Sequence, residues 1–98
     1  MSEDRLSRAA AAGVRARSLL EDDLLQGAFS ALEERYLQAW RATAIDDVAA
    51  RETLFKAIHV IGKVRDHLGS VLSNGRLAER ELRELVELAE RKRRFGIL

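Results

Sequence analysis

No cysteine and no proline occur among the 98 residues of this chain. The first absence excludes a disulfide framework and any thiolate metal site, and it fits a reducing, cytoplasmic setting. The second removes the residue that most reliably breaks a helix. Aromatic residues are scarce too, at three Phe, one Tyr and one Trp. Charge of one sign is also missing: 17 Lys and Arg stand against 16 Asp and Glu, for a formal net charge of +1. Only the distribution of charge, not its total, can therefore argue for nucleic acid. No apolar run approaches the roughly 20 residues needed to cross a bilayer, and residues 1–17 hold no apolar signal-peptide core. No membrane partner is expected.

What is present is charge and aliphatic periodicity. Charged residues make up 34% of the chain and hydrophobic ones 47%, which without proline points to long helices in one domain. So short an all-helical chain buries a modest share of its surface, and oligomerisation is the usual remedy where disulfides and metals are absent.

The strongest signal runs from Asp46 to Ser73 and reads as one helix with two apolar seams. Leu54, Ile58, Ile61, Leu68 and Leu72 form the first, interrupted by Arg65; Ala57, Val60, Val64, His67 and Val71 form the second. Both follow the three-and-four spacing of a helical stripe. One neighbour needs one stripe, so this helix is expected to touch at least two, with Val60, Val64, His67 and Val71 as the oligomer interface. Residues 15–42 form the preceding helix, with Leu25, Phe29, Leu32, Tyr36 and Ala39 at heptad-like spacing. The short connection Thr43–Asp47, with Ile45 as a staple, makes the two antiparallel neighbours. Ser73-Asn74-Gly75 is a helix stop, and a third helix follows over 78–93. Gly13 marks a break or fray, so 1–14 is a basic, partly ordered segment, and 94–98 is a tail. The expectation is an all-α, oligomeric fold: a long antiparallel helical hairpin over 15–73 plus a shorter C-terminal helix.

Reaction chemistry is not in evidence. His59 and His67 lie on different stripes, and no Glu-x-x-His or His-x-x-x-His spacing supports a metal. The serines at 7, 18, 30, 70 and 73 lack a nucleophile elbow, and no glycine-rich phosphate loop is present. No enzyme activity, metal or cofactor is expected. Lys56, His59 and Lys63 share a polar stripe that reads either as a solvated face or as a phosphate contact. Arg91, Lys92, Arg93 and Arg94 complement a helix dipole; followed by Phe95, Ile97 and Leu98, they also read as a docking peptide for a protein or nucleic acid.

The series Tyr36-Leu37-x-Ala39-Trp40-Arg41-x-Thr43, Arg51-Glu52, Val60-Ile61-Gly62-Lys63-Val64-Arg65-Asp66-His67-Leu68 and Asn74-Gly75-Arg76-Leu77 resembles short helical proteins of tailed phages, prophages and gene transfer agents. Within that group the resemblance is to the small terminase subunit of the DNA-packaging motor. It spans roughly residues 15–78, on motifs of a packing kind. The resemblance implies a ring-forming homo-oligomer of helical hairpins that binds double-stranded DNA and regulates the large terminase subunit, the ATPase and nuclease. It also implies that a C-terminal segment, here Arg91 to Leu98, engages that large subunit. Many small terminases open with a helix-turn-helix, and residues 1–14 are too short for one. DNA contact would then fall to Arg5, Arg8, Arg15 and Arg17, to Lys56 and Lys63, or to the tail. A dimeric four-helix bundle of two hairpins, an interaction module without nucleic-acid binding, is the alternative.

Overall fold

The computed structural model describes residues 2–96. Its described residues are helical or in turns, and form three helices: α1 (Glu3–Glu21), α2 (Asp23–Arg41) and α3 (Val48–Arg94). The all-α expectation holds at that level, while several boundaries fall elsewhere.

Helix α1 starts as the sequence predicts. The Ser2 hydroxyl accepts from the Arg5 amide at 3.2 Å, and Glu3 and Asp4 occupy the first turn, where carboxylates suit the positive end of the dipole. It then runs straight through Gly13, correcting the expectation of a partly ordered segment. Leu6, Gly13 and Ala16 are buried, so tertiary packing outweighs the roughly 1 kcal/mol that glycine costs inside a helix.

The break falls at Asp22 instead, correcting the single helix expected over 15–42. Asp22 takes an extended backbone (φ −75°, ψ 114°), and its carboxylate accepts from the Leu25 amide at 2.8 Å. A residue that reads as one member of a solvated acidic run is the N-cap of α2. Asp22→Ala is expected to cost about 1 kcal/mol, lowering the thermal midpoint by about 4–8 °C. An unchanged melting curve would show that the cap contributes nothing.

At the other end of α2 the Thr43 hydroxyl donates to the Trp40 carbonyl at 2.6 Å, and Asp47 accepts from the Ala50 amide at 3.2 Å to open α3. Ile45 does not act as a staple: it is 89% exposed. Helix α3 then continues without interruption to Arg94. The stop expected at Ser73-Asn74-Gly75 and the separate helix over 78–93 are therefore corrected. Gly96 (φ +70°) is the one described residue with a left-handed backbone, and its amide donates to the Arg93 carbonyl at 3.2 Å. Gly75 instead keeps helical geometry and is buried.

The chain divides into two compact units, residues 2–17 with 69–96, and Ser18–Leu68. In the first, α1 meets α3 through bare backbone. A Cβ built on Gly13 would lie 2.7 Å from the Gly75 Cα, and one built on Gly75 would lie 2.6 Å from the Gly13 Cα. Leu6, Ala16 and Ala78 are the buried apolar side chains of this unit. Small residues on both helices permit this close approach, and packing density rather than bulk holds it.

In the second unit the first seam of α3 turns inward. Ile61 is buried, with Leu54, Ile58 and Leu68 half-buried. Arg65 interrupts the seam because it has partners on α2: it donates to Glu33 at 2.5 Å and to Ser30 at 3.4 Å, and its guanidinium lies 5.2 Å from the Phe29 ring centroid. Further along, the Arg51 guanidinium sits 4.8 Å from the Trp40 ring centroid. As residue number rises on α2 from 29 to 40, its partner on α3 falls from Arg65 to Arg51.

Candidate assembly face and nucleic-acid-binding residues

The second seam of α3 does not turn inward. Val60 is 57% exposed and Val64 44% exposed; His67 is exposed as well, and Ala57 and Val71 are half-buried. The three-and-four spacing that sets Leu54, Ile58 and Ile61 toward α2 necessarily sets Val60 and Val64 to one side of that contact. Beside them an open hollow of about 410 Å³ is lined by Leu32, Tyr36, Ala57, Val60 and Ile61 together with Thr53 and Lys56. Singly exposed valines are unremarkable, whereas a row of them continuous with a partly apolar hollow is the kind of surface that associates.

The cations expected to meet phosphate fall in different places. Lys56 and Lys63 are exposed on unit Ser18–Leu68, and the Lys56 Nζ lies 4.0 Å from the Glu52 carboxylate. Arg5, Arg8, Arg15 and Arg17 are exposed along α1. Arg8 pairs with Asp4 one turn away, Arg5 shares a hollow with Glu81, and Arg17 shares one with Glu79. Arg91, Lys92, Arg93 and Arg94 form the last turn of α3, with Lys92 half-buried and the others exposed. Arg8 and Lys56 each lie beside a carboxylate one turn away, whereas the last turn of α3 carries four cations in succession. Phe95 is 70% exposed just beyond the basic turn, its amide donating to the Arg91 carbonyl at 3.1 Å. Ile97 and Leu98, expected as anchors with it, lie outside the described residues.

The His59 ring stacks on Phe55, with centroids 6.2 Å apart and planes 8° from parallel. Among the described residues no three His, Asp or Glu side chains gather as a metal site, and no helix is long and apolar enough to cross a membrane.

A second exposed apolar surface goes unsignalled by the seams. Trp40, Ile45, Val48 and Phe55, with Arg51 and Glu52, line a hollow of about 250 Å³. Phe55 belongs to neither stripe, and the only sequence clue to its role is the four-residue interval to His59, which places the rings one turn apart.

No family model, curated protein or solved structure matches this chain.

Proposed function

We propose that this chain is a non-enzymatic adaptor that assembles with copies of itself, of the kind the small terminase subunit represents in phage-type DNA packaging. The observation that carries the assembly is the open second seam, Val60 and Val64 above all. At about 25 cal/mol per Å² of apolar surface removed from water, a row of half-exposed aliphatic side chains gains from burial what a short monomeric chain leaves unrealised. In this reading α2 and the first half of α3 form the helical hairpin that repeats around the assembly, and Val60, Val64, His67 and Val71 form its contact. The setting is the cytoplasm, the partner is a large terminase subunit engaged through the end of α3 at Phe95, and no cofactor takes part.

Contact with double-stranded DNA rests on the cations and the packing motifs together. Two observations favour the alternative of an interaction module without nucleic acid: Arg8 is paired with Asp4, and Lys56 lies beside Glu52. A cation shared with a carboxylate releases fewer counterions on binding phosphate.

Light scattering on the full chain is expected to give a closed assembly larger than a dimer; a monomer mass at every concentration removes the idea. If DNA is bound, Lys56→Ala/Lys63→Ala or Arg91→Ala/Arg93→Ala weakens it and flattens its salt dependence. The slope of log affinity against log salt falls by about 0.9 for every phosphate that the variant no longer neutralises. A dimer mass with no DNA retained at low salt favours the interaction module.

A further inference from the structure

The end of α3 offers a different surface, and its charges are ordered. Leu82, Leu85, Val86 and Ala89 fall within an arc of about 100° on the helix, with Val86 57% exposed. The hollow formed by Leu82, Arg83, Val86 and Glu87 is lined by α3 alone. One flank of this face carries Glu81 near its start and Lys92 near its end. The other carries Arg83 and then Glu90. Each flank thus changes sign along its length. On a coarser scale residues 79–90 hold five glutamates against two arginines, while 91–94 are all cationic.

We propose that residues 79–94 are a self-complementary docking face whose occupant is the same segment of a second copy, laid antiparallel. In that orientation Glu81 of one copy meets Lys92 of the other and Arg83 meets Glu90, each pair formed twice by the two-fold axis. The basic last turn of each helix then lies against the acidic stretch of its partner. A parallel pair would instead bring both basic turns to one level, where like charges repel. Opposed helix dipoles add to the antiparallel preference. The contact is small: 16 residues of α3 make a helix about 24 Å long, and two such helices bury less than the standard interface of about 1,600 Å². The association is therefore weak, reversible and salt-sensitive. It does not rest on the packaging reading, and it uses cations on which tail contact with DNA would also draw.

Sedimentation of the full chain over a range of concentrations tests it. Lys92→Glu and Glu81→Lys each weaken self-association, by about tenfold as a reversed pair counted twice, and an equimolar mixture of the two regains wild-type strength. Orientation is read by introduced cysteines, for which a chain without natural cysteine is well suited. Oxidising a mixture of Leu82→Cys and Arg93→Cys chains gives the 82–93 heterodisulfide if the pair is antiparallel. Homodisulfides in its place overturn the proposal, and so does self-association that ignores Lys92→Glu, Glu81→Lys and their mixture, or a chain that stays monomeric throughout at low salt. Assembly through the second seam is reported separately by Val60→Glu, so loss of one contact is distinguishable from loss of the other.

Discussion

Gly75→Leu is expected to cost unit 2–17/69–96 most of its stability, and even Gly75→Ala is expected to destabilise it. Two effects oppose each other at this position. Alanine favours a helix interior over glycine by about 1 kcal/mol. Against that, a Cβ at residue 75 would sit 2.6 Å from the Gly13 Cα, 3.0 Å from the Ala9 carbonyl oxygen and 3.1 Å from the Gly13 nitrogen. All three are backbone atoms, so no side chain can rotate away, and the helices must separate. Separation loosens Leu6, Ala16 and Ala78 together, because they are buried in that same unit. Overpacking of this kind costs about 1–3 kcal/mol for one or two methylenes, which exceeds the gain in propensity; leucine exceeds it further. Gly27 supplies the control. It lies inside α2 with nothing within 4 Å of an added Cβ, so Gly27→Ala is expected to raise stability by about 0.5–1 kcal/mol. Chemical denaturation of both variants checks the pair. If Gly75→Ala stabilises as much as Gly27→Ala, the close contact between α1 and α3 is wrong.

That contact also marks where sequence reasoning runs out. The first seam of α3 is legible because periodicity is a local property: Leu54, Ile58, Ile61 and Leu68 repeat at helical spacing, and they are the residues that turn inward. The interruption by Arg65 is legible as an interruption but not as a tie, because Glu33 and Phe29 lie more than thirty residues away in the chain. Gly13 and Gly75 fail for the same reason more severely. Each alone carries the signal of a helix break, and only their juxtaposition turns the missing side chains into a packing feature. The Asn74-Gly75 stop misleads because C-cap propensity is a weak prior that tertiary contact overrides. Asp22 is of the residue type that caps well, but its neighbours Glu21 and Asp23 lend it a plain solvated reading. For the candidate assembly face, exposure of Val60 and Val64 follows from the two-seam pattern. The scatter of the cations among carboxylates is only partly visible, through the i,i+4 spacing of Asp4 with Arg8 and of Glu52 with Lys56.

Leu6→Ala and Ile61→Ala are expected to unfold different parts of the chain. Each is the bulkiest buried side chain of its own unit, and truncating a buried Leu or Ile costs about 2–5 kcal/mol. In a small domain that rivals the whole stability, which is about 0.05–0.15 kcal/mol per residue. Whether the loss spreads depends on α3, which supplies residues to both units without a break. Helix propagation adds a bond for each residue fixed, so a helix already nucleated extends readily into neighbouring residues. The i,i+4 spacing of Glu79 with Arg83 and of Glu87 with Arg91 favours helix at its far end. Packing, unlike backbone hydrogen bonding, does not propagate along the axis: Leu6 and Ala78 are buried in one unit, Ile61 in the other. Amide hydrogen exchange should therefore show Leu6→Ala releasing residues 3–17 strongly and 69–82 partially, while 23–41 and 48–68 keep their protection. Ile61→Ala should do the reverse. Equal acceleration of every helix in both variants would mean that α3 welds the two cores into one cooperative unit.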